Sequence, residues 1–132
     1  ARDRVAAMVR QIGANPLFMD ASEHDSLVAG ISHLPLLISV ALVAVTTKSP
    51  LWPKMATLAA SGFRDLSRLA SGDPLMSRDI CLTNREPIIR WIDDYIEELR
   101  ALRYLISEGG EIDRLEEAFI QVRKERERWL RM

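Results

Sequence analysis

The sequence is poor in the residues that build disulfides and metal sites, with one cysteine, Cys81, and two histidines. One cysteine excludes an intrachain disulfide framework and a multi-cysteine zinc site, and it favours a reducing, cytoplasmic compartment. An excess of charge is also lacking, because 18 basic side chains are balanced by 19 acidic ones. Nucleic-acid-binding domains usually carry a basic excess, so we expect no nucleic acid partner.

The loop motifs of nucleotide binding and common catalysis are missing as well. The chain has no Gly-x-Gly-x-x-Gly loop, no P-loop, no Gly-x-Ser-x-Gly elbow and no His-Glu-x-x-His helix. No basic segment precedes an apolar run and a cleavage site, so we expect no signal peptide. This chain alone is therefore expected to be inactive and to bind neither a nicotinamide cofactor nor a metal.

Apolar residues recur at helical spacing along nearly the whole chain, and no run has the period of a strand. Gly13 is expected to cap the first helix, Asp73 is expected to begin the helix that contains Pro74, and Gly109-Gly110 predicts the turn of a helical hairpin. The predicted fold class is an all-α helical bundle. Its helices are expected over residues 2–12, 22–48, 53–61, 63–70, 74–84, 86–107 and 111–130. Gly62 is expected to stop the third of these helices. The last helix is expected to face inward with Ile112, Leu115, Phe119 and Val122.

The predicted helix 22–48 forms the centre of this bundle. Its apolar side chains cover every side, which is typical of a helix buried all round, and Pro35 is expected to kink it. Such a helix is about 40 Å long, whereas a globule of this size has a radius of gyration of roughly 14 Å. One subunit can hardly cover it, so we predict an intertwined homodimer with this helix in the shared core.

The same helix raises the alternative of a membrane span, because no charged residue lies between Ser26 and Thr47. The stretch contains polar or helix-perturbing residues and lacks aromatic belts at its ends. We therefore favour a buried helix, expect no membrane partner, and keep a small membrane-associated protein as the minor alternative. The residues that argue against a span are Gly30, Ser32, His33, Pro35 and Ser39.

Two polar clusters carry candidate chemistry. His33 follows Ser32 in the middle of the apolar helix, and its ring nitrogens need partners, as a core histidine or as a ligand-binding one. Asp65 and Arg68 are three residues apart and can pair on a helix face, which orients the guanidinium for a carboxylate. An ordinary surface ion pair is the alternative for these two. Gly62, just before them, permits a close backbone approach or a positive φ.

In this order, the two clusters resemble the C-terminal helical domain of the prephenate and arogenate dehydrogenase family. In that family the all-α dimerisation domain follows a Rossmann domain that binds NAD or NADP. The full enzyme converts prephenate or arogenate by hydride transfer with loss of carbon dioxide, in tyrosine biosynthesis. The matching segments cover nearly the whole chain: Gly13-Ala14, His24-Asp25 through Ser32-His33-Leu34-Pro35, Gly62-Phe63-Arg64-Asp65-Leu66-Ser67-Arg68-Leu69-Ala70, Asp73-Pro74, and Asp79-Ile80 with Asn84.

The resemblance implies two regions of the chain with different roles. Residues 1–13 are expected to form a junction helix to an N-terminal nucleotide-binding domain that is absent from this chain. Residues 14–132 are expected to form the all-helical dimerisation and substrate-binding domain. The family's catalytic histidine and cofactor loop belong to the N-terminal domain, so no catalytic residue is expected here.

The resemblance also implies roles for five residues of the substrate site. Arg68 matches the arginine that holds a substrate carboxylate, and Asp65 and Gly62 match the motif that positions it. Ser32 and His33 match residues that line the pocket, so His33 is expected to hydrogen-bond the ring hydroxyl or the product.

Two departures from the family pattern leave the choice between prephenate and arogenate open. Leu36 stands where the family often has a second histidine, and Ser77 stands where an aromatic residue is common. The alternative function is a stand-alone dimeric helical binding or regulatory module without catalysis, in which Arg68 forms only a surface ion pair.

Overall fold

The computed structural model describes residues 1–107 and 112–132, and the regular elements in that part of the chain are all helical. The predicted all-α class is therefore confirmed. The elements are α1 (Arg2–Gln11), α2 (Ala21–Val28), a π turn (Ala29–His33), α3 (Leu34–Thr47), α4 (Trp52–Leu58), α5 (Ser61–Ser67), a 3-10 turn (Arg68–Ser71), α6 (Pro74–Thr83), α7 (Arg85–Ser107) and α8 (Ile112–Trp129).

The chain divides into two compact units. The first comprises Ala1–Ile88 and the second Ile89–Met132. The first unit contains both polar clusters singled out from the sequence, and the second contains most of α7 and all of α8. The division of residues 1–13 from 14–132, which depends on the family resemblance, stays a prediction.

The end of α1 confirms the predicted glycine cap. Gly13 has φ of 82°, in the left-handed region that glycine adopts without a steric penalty. Its N–H donates to the carbonyl of Arg10 at 3.0 Å, and the N–H of Ala14 donates to the carbonyl of Val9 at 3.1 Å. These two bonds form a Schellman motif, which satisfies carbonyls that the end of the helix leaves free.

The start of α6 confirms the predicted aspartate cap. The Oδ1 atom of Asp73 accepts a hydrogen bond from the backbone N–H of Met76 at 2.8 Å, and Pro74 occupies the first turn. The cap satisfies a backbone donor that has no partner within the helix, and proline loses nothing where no intrahelical N–H bond is needed.

The break between α4 and α5 does not lie at Gly62, as the sequence suggested. Helix α4 ends at Leu58, Ala59 and Ala60 are extended, and Gly62 lies inside α5 without a positive φ. The rings of Trp52 and Phe63 pack 5.8 Å apart at 48°. This contact brings the start of α4 to α5 across the break.

The predicted long helix is present as continuous helical backbone from Ala21 to Thr47. The irregularity expected from Pro35 takes the form of the π turn directly before it, where the N–H of Leu34 donates to the carbonyl of Ala29. Proline has no N–H, and its ring crowds the carbonyl four residues earlier, so a wider turn at this point relieves the conflict.

Burial of this helix on all sides is not achieved within one chain. Only Ala29 and Ser39 are buried, whereas Ile31 is 80% exposed and Val45 is 67% exposed. By length and composition alone the helix could cross a membrane, and 11% of its most apolar stretch is buried. An apolar surface of this extent marks an interaction face.

The inward face predicted for α8 is largely exposed as well. Leu115 is half-buried, but Ile112, Phe119 and Val122 are exposed, so the prediction is wrong for these three within a single chain. The helical period identifies an apolar face correctly without saying what covers it. The hairpin turn predicted at Gly109-Gly110 lies outside the described residues.

Candidate functional site

A hydrogen-bond network joins the π turn to the junction of α6 and α7. Asn84 ends α6 and is 7% exposed. Its Nδ2 atom donates to the backbone carbonyl of Asp25 at 2.7 Å and lies 3.2 Å from Nδ1 of His33. Because a carbonyl oxygen can only accept, the atom of Asn84 that faces it has to be the amide nitrogen. This network fixes the position of the histidine that the sequence singled out.

His33 has one satisfied ring nitrogen and one open one. The ring is half-buried, and Nδ1 contacts Asn84. Within residues 1–107 and 112–132, Nε2 has no hydrogen-bond partner, and no fully buried side-chain nitrogen or oxygen there is unpaired. Nε2 is therefore reached by solvent. His33 thus combines a structural anchor with an exposed polar atom, as a ligand-binding histidine requires.

A second hydrogen bond attaches the 3-10 turn to the central helix. Ser39 is 1% exposed, and its hydroxyl oxygen accepts from the backbone N–H of Ala70 at 2.8 Å. The 3-10 turn begins at Arg68, and the π turn that ends at His33 leads directly into α3. Both candidate ligand-binding residues are therefore carried by segments anchored to the same helix.

Arg68 is exposed at the first position of the 3-10 turn. The ion pair with Asp65 that the spacing suggested is not formed, and within the described parts of the chain neither side chain has an ion-pair partner. Both residues are exposed to water, where an ion pair gains too little to hold two flexible side chains together. The guanidinium of Arg68 is thus available to an external carboxylate.

The remaining two predicted site residues are open to solvent. Ser32 lies exposed in the π turn, next to His33. Gly62 is exposed in α5, and a Cβ atom added there would meet nothing within 4 Å. Among residues 1–107 and 112–132, the close backbone approach predicted at Gly62 therefore does not occur.

Two residues that position the site were not assigned roles from the sequence. Asn84 was noted only as part of the matching pattern, and Ser39 only as a polar residue in the apolar helix. A serine in the middle of an uncharged helix is the available signal, because a polar group buried there requires a partner. For Asn84 the signal is its position between two helices, but the sequence does not identify the atoms it meets.

The charged groups near the site offer no metal centre. Among the residues that the structure describes, no group of three or more His, Cys, Asp or Glu side chains could hold a metal ion. The side chain of Asp25 instead contacts its neighbour His24, with Oδ1 at 3.2 Å from Nδ1, in an exposed pair. The chemistry available at this site is thus hydrogen bonding and charge attraction.

Solved structures share this fold over nearly the whole chain. Arogenate dehydrogenase from Synechocystis matches with a TM-score of 0.85 and 27% identity, over 98% of this chain and 48% of that chain. Prephenate dehydrogenase from Aquifex aeolicus, solved in complex with hydroxyphenyl propionate and NAD+, matches with a TM-score of 0.81 and 28% identity. That match covers 96% of this chain and 45% of the other. By class, the chain is an all-α domain of the kind found in these dehydrogenases.

Sequence relatives narrow the class to a family. The family model described as prephenate dehydrogenase, dimerization domain, matches residues 20–121. Prephenate dehydrogenase from Bacillus subtilis is 40% identical over 103 residues, and cyclohexadienyl dehydrogenase from Zymomonas mobilis is 34% identical over 126 residues. The chain therefore belongs to the prephenate dehydrogenase dimerization-domain family. The chain spans 28% of the length of the Bacillus subtilis protein, in a match that covers 75% of this chain. It spans 42% of the length of the Zymomonas mobilis protein, in a match that covers 92% of this chain.

Proposed function

We propose that this chain is the dimerisation and substrate-binding domain of a cytoplasmic prephenate or arogenate dehydrogenase. The complete enzyme would carry out an NAD- or NADP-dependent oxidative decarboxylation in tyrosine biosynthesis. The names of the relatives support the reaction class, and the bound NAD+ of the Aquifex aeolicus enzyme supports a nicotinamide cofactor. In this proposal, residues 1–13 lead to an N-terminal Rossmann domain that supplies the cofactor and the catalytic histidine.

The observation that carries the proposal is the guanidinium of Arg68, which has no ion-pair partner among residues 1–107 and 112–132 and lies on a turn that Ser39 anchors to α3. An arginine offers two parallel N–H donors, which match the two oxygens of a carboxylate. Prephenate and arogenate both carry carboxylates. Arg68 would bind one of them, while His33 and Ser32 would contact other oxygen atoms of the substrate. Binding by residues on two turns that are both attached to α3 would orient the substrate for hydride transfer to the cofactor.

The same proposal includes a homodimer with the central helix in the shared core. Its support is the exposed apolar surface of residues such as Ile31, Val40 and Val45, together with the family's description as a dimerization domain. A partner copy would remove this surface from water, which is favourable at about 25 cal/mol for each Å² of apolar area. A homodimer accounts for the apolar helix without a membrane.

The test is an activity assay of the full product of the gene that encodes this chain. Reduction of NAD+ and NADP+ is followed with prephenate and with arogenate as substrates. Arg68→Ala is expected to lower kcat/KM by about 100-fold, since a charge-assisted contact is worth roughly 1.5–3 kcal/mol. Arg68→Lys keeps the positive charge but loses the two parallel N–H donors of the guanidinium, so this variant is expected to retain part of the activity.

Lys54→Ala supplies the matched control, because Lys54 is another exposed cation of the first unit. An equal loss in both variants would contradict a specific role for Arg68. Absence of turnover with either substrate and either cofactor, in a folded dimeric protein, would overturn the enzyme proposal. The chain would then be a stand-alone dimeric binding or regulatory module, and no loss of ligand binding in Arg68→Ala would support that alternative.

A further inference from the structure

The two hydrogen atoms of the Asn84 amide have separate acceptors. One points to the backbone carbonyl of Asp25, at an N···O distance of 2.7 Å, and the other is available to Nδ1 of His33 at 3.2 Å. The carbonyl already accepts from the N–H of Ala29 and has a second lone pair for Asn84. Reversing the amide would set its oxygen against the carbonyl oxygen, so the nitrogen is fixed in place.

This arrangement determines which nitrogen of His33 carries the proton. A neutral imidazole has one N–H donor and one acceptor nitrogen. Nδ1 faces an N–H donor, so it accepts and carries no proton. The proton of the neutral ring is then on Nε2, the atom that solvent reaches.

The second histidine of the chain supplies an internal comparison. Nδ1 of His24 lies 3.2 Å from the carboxylate oxygen of Asp25, and a carboxylate only accepts. Nδ1 of His24 therefore donates. Nδ1 therefore donates in one histidine and accepts in the other, and Asp25 takes part in both cases. Its side chain accepts from Nδ1 of His24, and its backbone carbonyl holds the Asn84 amide that donates to Nδ1 of His33.

We infer that Asn84 is a positioning residue that holds the neutral ring of His33 in the Nε2–H tautomer, so that the ring donates one hydrogen bond to an oxygen acceptor of the ligand. The tautomer follows from this chain's own geometry, and only the identity of the ligand rests on the proposed function. A carboxylate, carbonyl or hydroxyl oxygen fits this donor. An ammonium group, which can only donate, is disfavoured at Nε2. Protonated Nε2 also cannot act as a general base.

The first test measures the tautomer directly in the whole chain without ligand. Long-range 1H–15N correlation spectra of the imidazole rings are recorded on 15N-labelled protein in mildly alkaline buffer, where free histidine is neutral. We expect the Nε2–H pattern for His33 and a different pattern for His24, whose Nδ1 donates to Asp25. A protonated Nδ1 in His33, or 15N shifts averaged between the two nitrogens, would overturn the inference.

The Asn84→Asp variant tests whether Asn84 sets this tautomer. A carboxylate has no N–H to offer, so Nδ1 of His33 has to take a proton in order to meet it. The 15N signals are expected to move to the Nδ1–H or the doubly protonated pattern. Unchanged Nε2–H signals in a folded variant would contradict the role of Asn84. Circular dichroism checks the fold, and if this variant does not fold, the wild-type spectrum still decides the tautomer.

Replacing His33 tests the donor at Nε2 in the full gene product, with prephenate as the probe. The amide nitrogen of His33→Gln can reach the region of Nε2, whereas the shorter His33→Asn side chain cannot. We expect KM for prephenate to rise roughly tenfold in His33→Asn, the loss of one hydrogen bond to a charged or polar oxygen, and to rise less in His33→Gln. Equal losses in both would contradict a donor role. If no variant and no wild-type protein turns over prephenate or arogenate, the proposed function fails while the tautomer measurement stands by itself.

Discussion

The hydroxyl of Ser39 accepts a hydrogen bond from the backbone N–H of Ala70 across 31 positions of the chain. Ser39 is buried in the central helix, and Ala70 lies in the turn that begins with Arg68. The uncharged part of this helix thus carries a buried polar side chain at the point where it holds the turn of the candidate substrate-binding arginine. We regard this bond as the structural connection between the central helix and the 3-10 turn.

Replacing Ser39 with alanine is expected to destabilise the protein by about 1–3 kcal/mol, because the N–H of Ala70 loses its partner in a partly buried site. Urea unfolding at a fixed protein concentration measures this change. Thr47→Ala in the same continuous helix is the control. Its hydroxyl is exposed and donates to the carbonyl of Val43, so a change within about 0.5 kcal/mol is expected. Equal effects would contradict a special role for Ser39.

Alanine substitutions at two glycines are expected to act in opposite directions. Gly13 has φ of 82° with open space around it, so Gly13→Ala is expected to cost about 1–2 kcal/mol through backbone strain alone. Gly62 lies in a helix, also with open space, so Gly62→Ala is expected to stabilise the chain by about 0.5–1 kcal/mol. Thermal or urea unfolding of the two variants compares them directly. Destabilisation by Gly62→Ala would show that the chain is packed closely there in the assembled protein.

The cap of α6 offers a prediction with a conservative control. Asp73→Ala removes the acceptor of the Met76 N–H and is expected to cost about 1 kcal/mol in free energy of unfolding. Asp73→Asn keeps an oxygen in the same place and is expected to stay within a few tenths of a kcal/mol of the original chain. If both variants lose the same stability, the charge of Asp73 rather than its hydrogen bond stabilises the helix.

The features that the sequence predicted are those set by nearby residues. Gly13 as a cap and Asp73 before Pro74 each act within one helical turn, so the local pattern is sufficient. The long helix was also predicted within one residue at each end, since its apolar run and its flanking residues are contiguous.

The features that the sequence did not predict depend on distant contacts. Asn84 is 59 positions from Asp25 and 51 from His33, so its bonds cannot be inferred from spacing. The break lies at Ala59 and Ala60, between the packed rings of Trp52 and Phe63, and not at the glycine that the local pattern indicated. The exposure of α8 is a third example of a feature that the sequence did not predict. Helical periodicity identifies the apolar face, but it does not show which chain covers that face. The candidate residues His33 and Arg68 were found from the sequence, but the roles of Asn84 and Ser39 in positioning them were not.

The exposed apolar face of α3 leads to a prediction about assembly. Val45 is 67% exposed on this helix, and in the proposed homodimer it lies in the shared core. Val45→Lys would bury a charge there, which is unfavourable without a partner, so the dimer is expected to weaken by at least tenfold. Analytical ultracentrifugation in detergent-free buffer measures the monomer–dimer equilibrium.

Met132→Lys, at a terminal residue that is 99% exposed, is the control for this prediction and is expected to leave the monomer–dimer equilibrium unchanged. A monomeric wild-type chain would contradict the dimer itself, and a chain that stays in solution only with detergent would favour the membrane alternative. A Val45→Lys dimer of unchanged affinity would move the interface away from this part of α3, to another exposed apolar face.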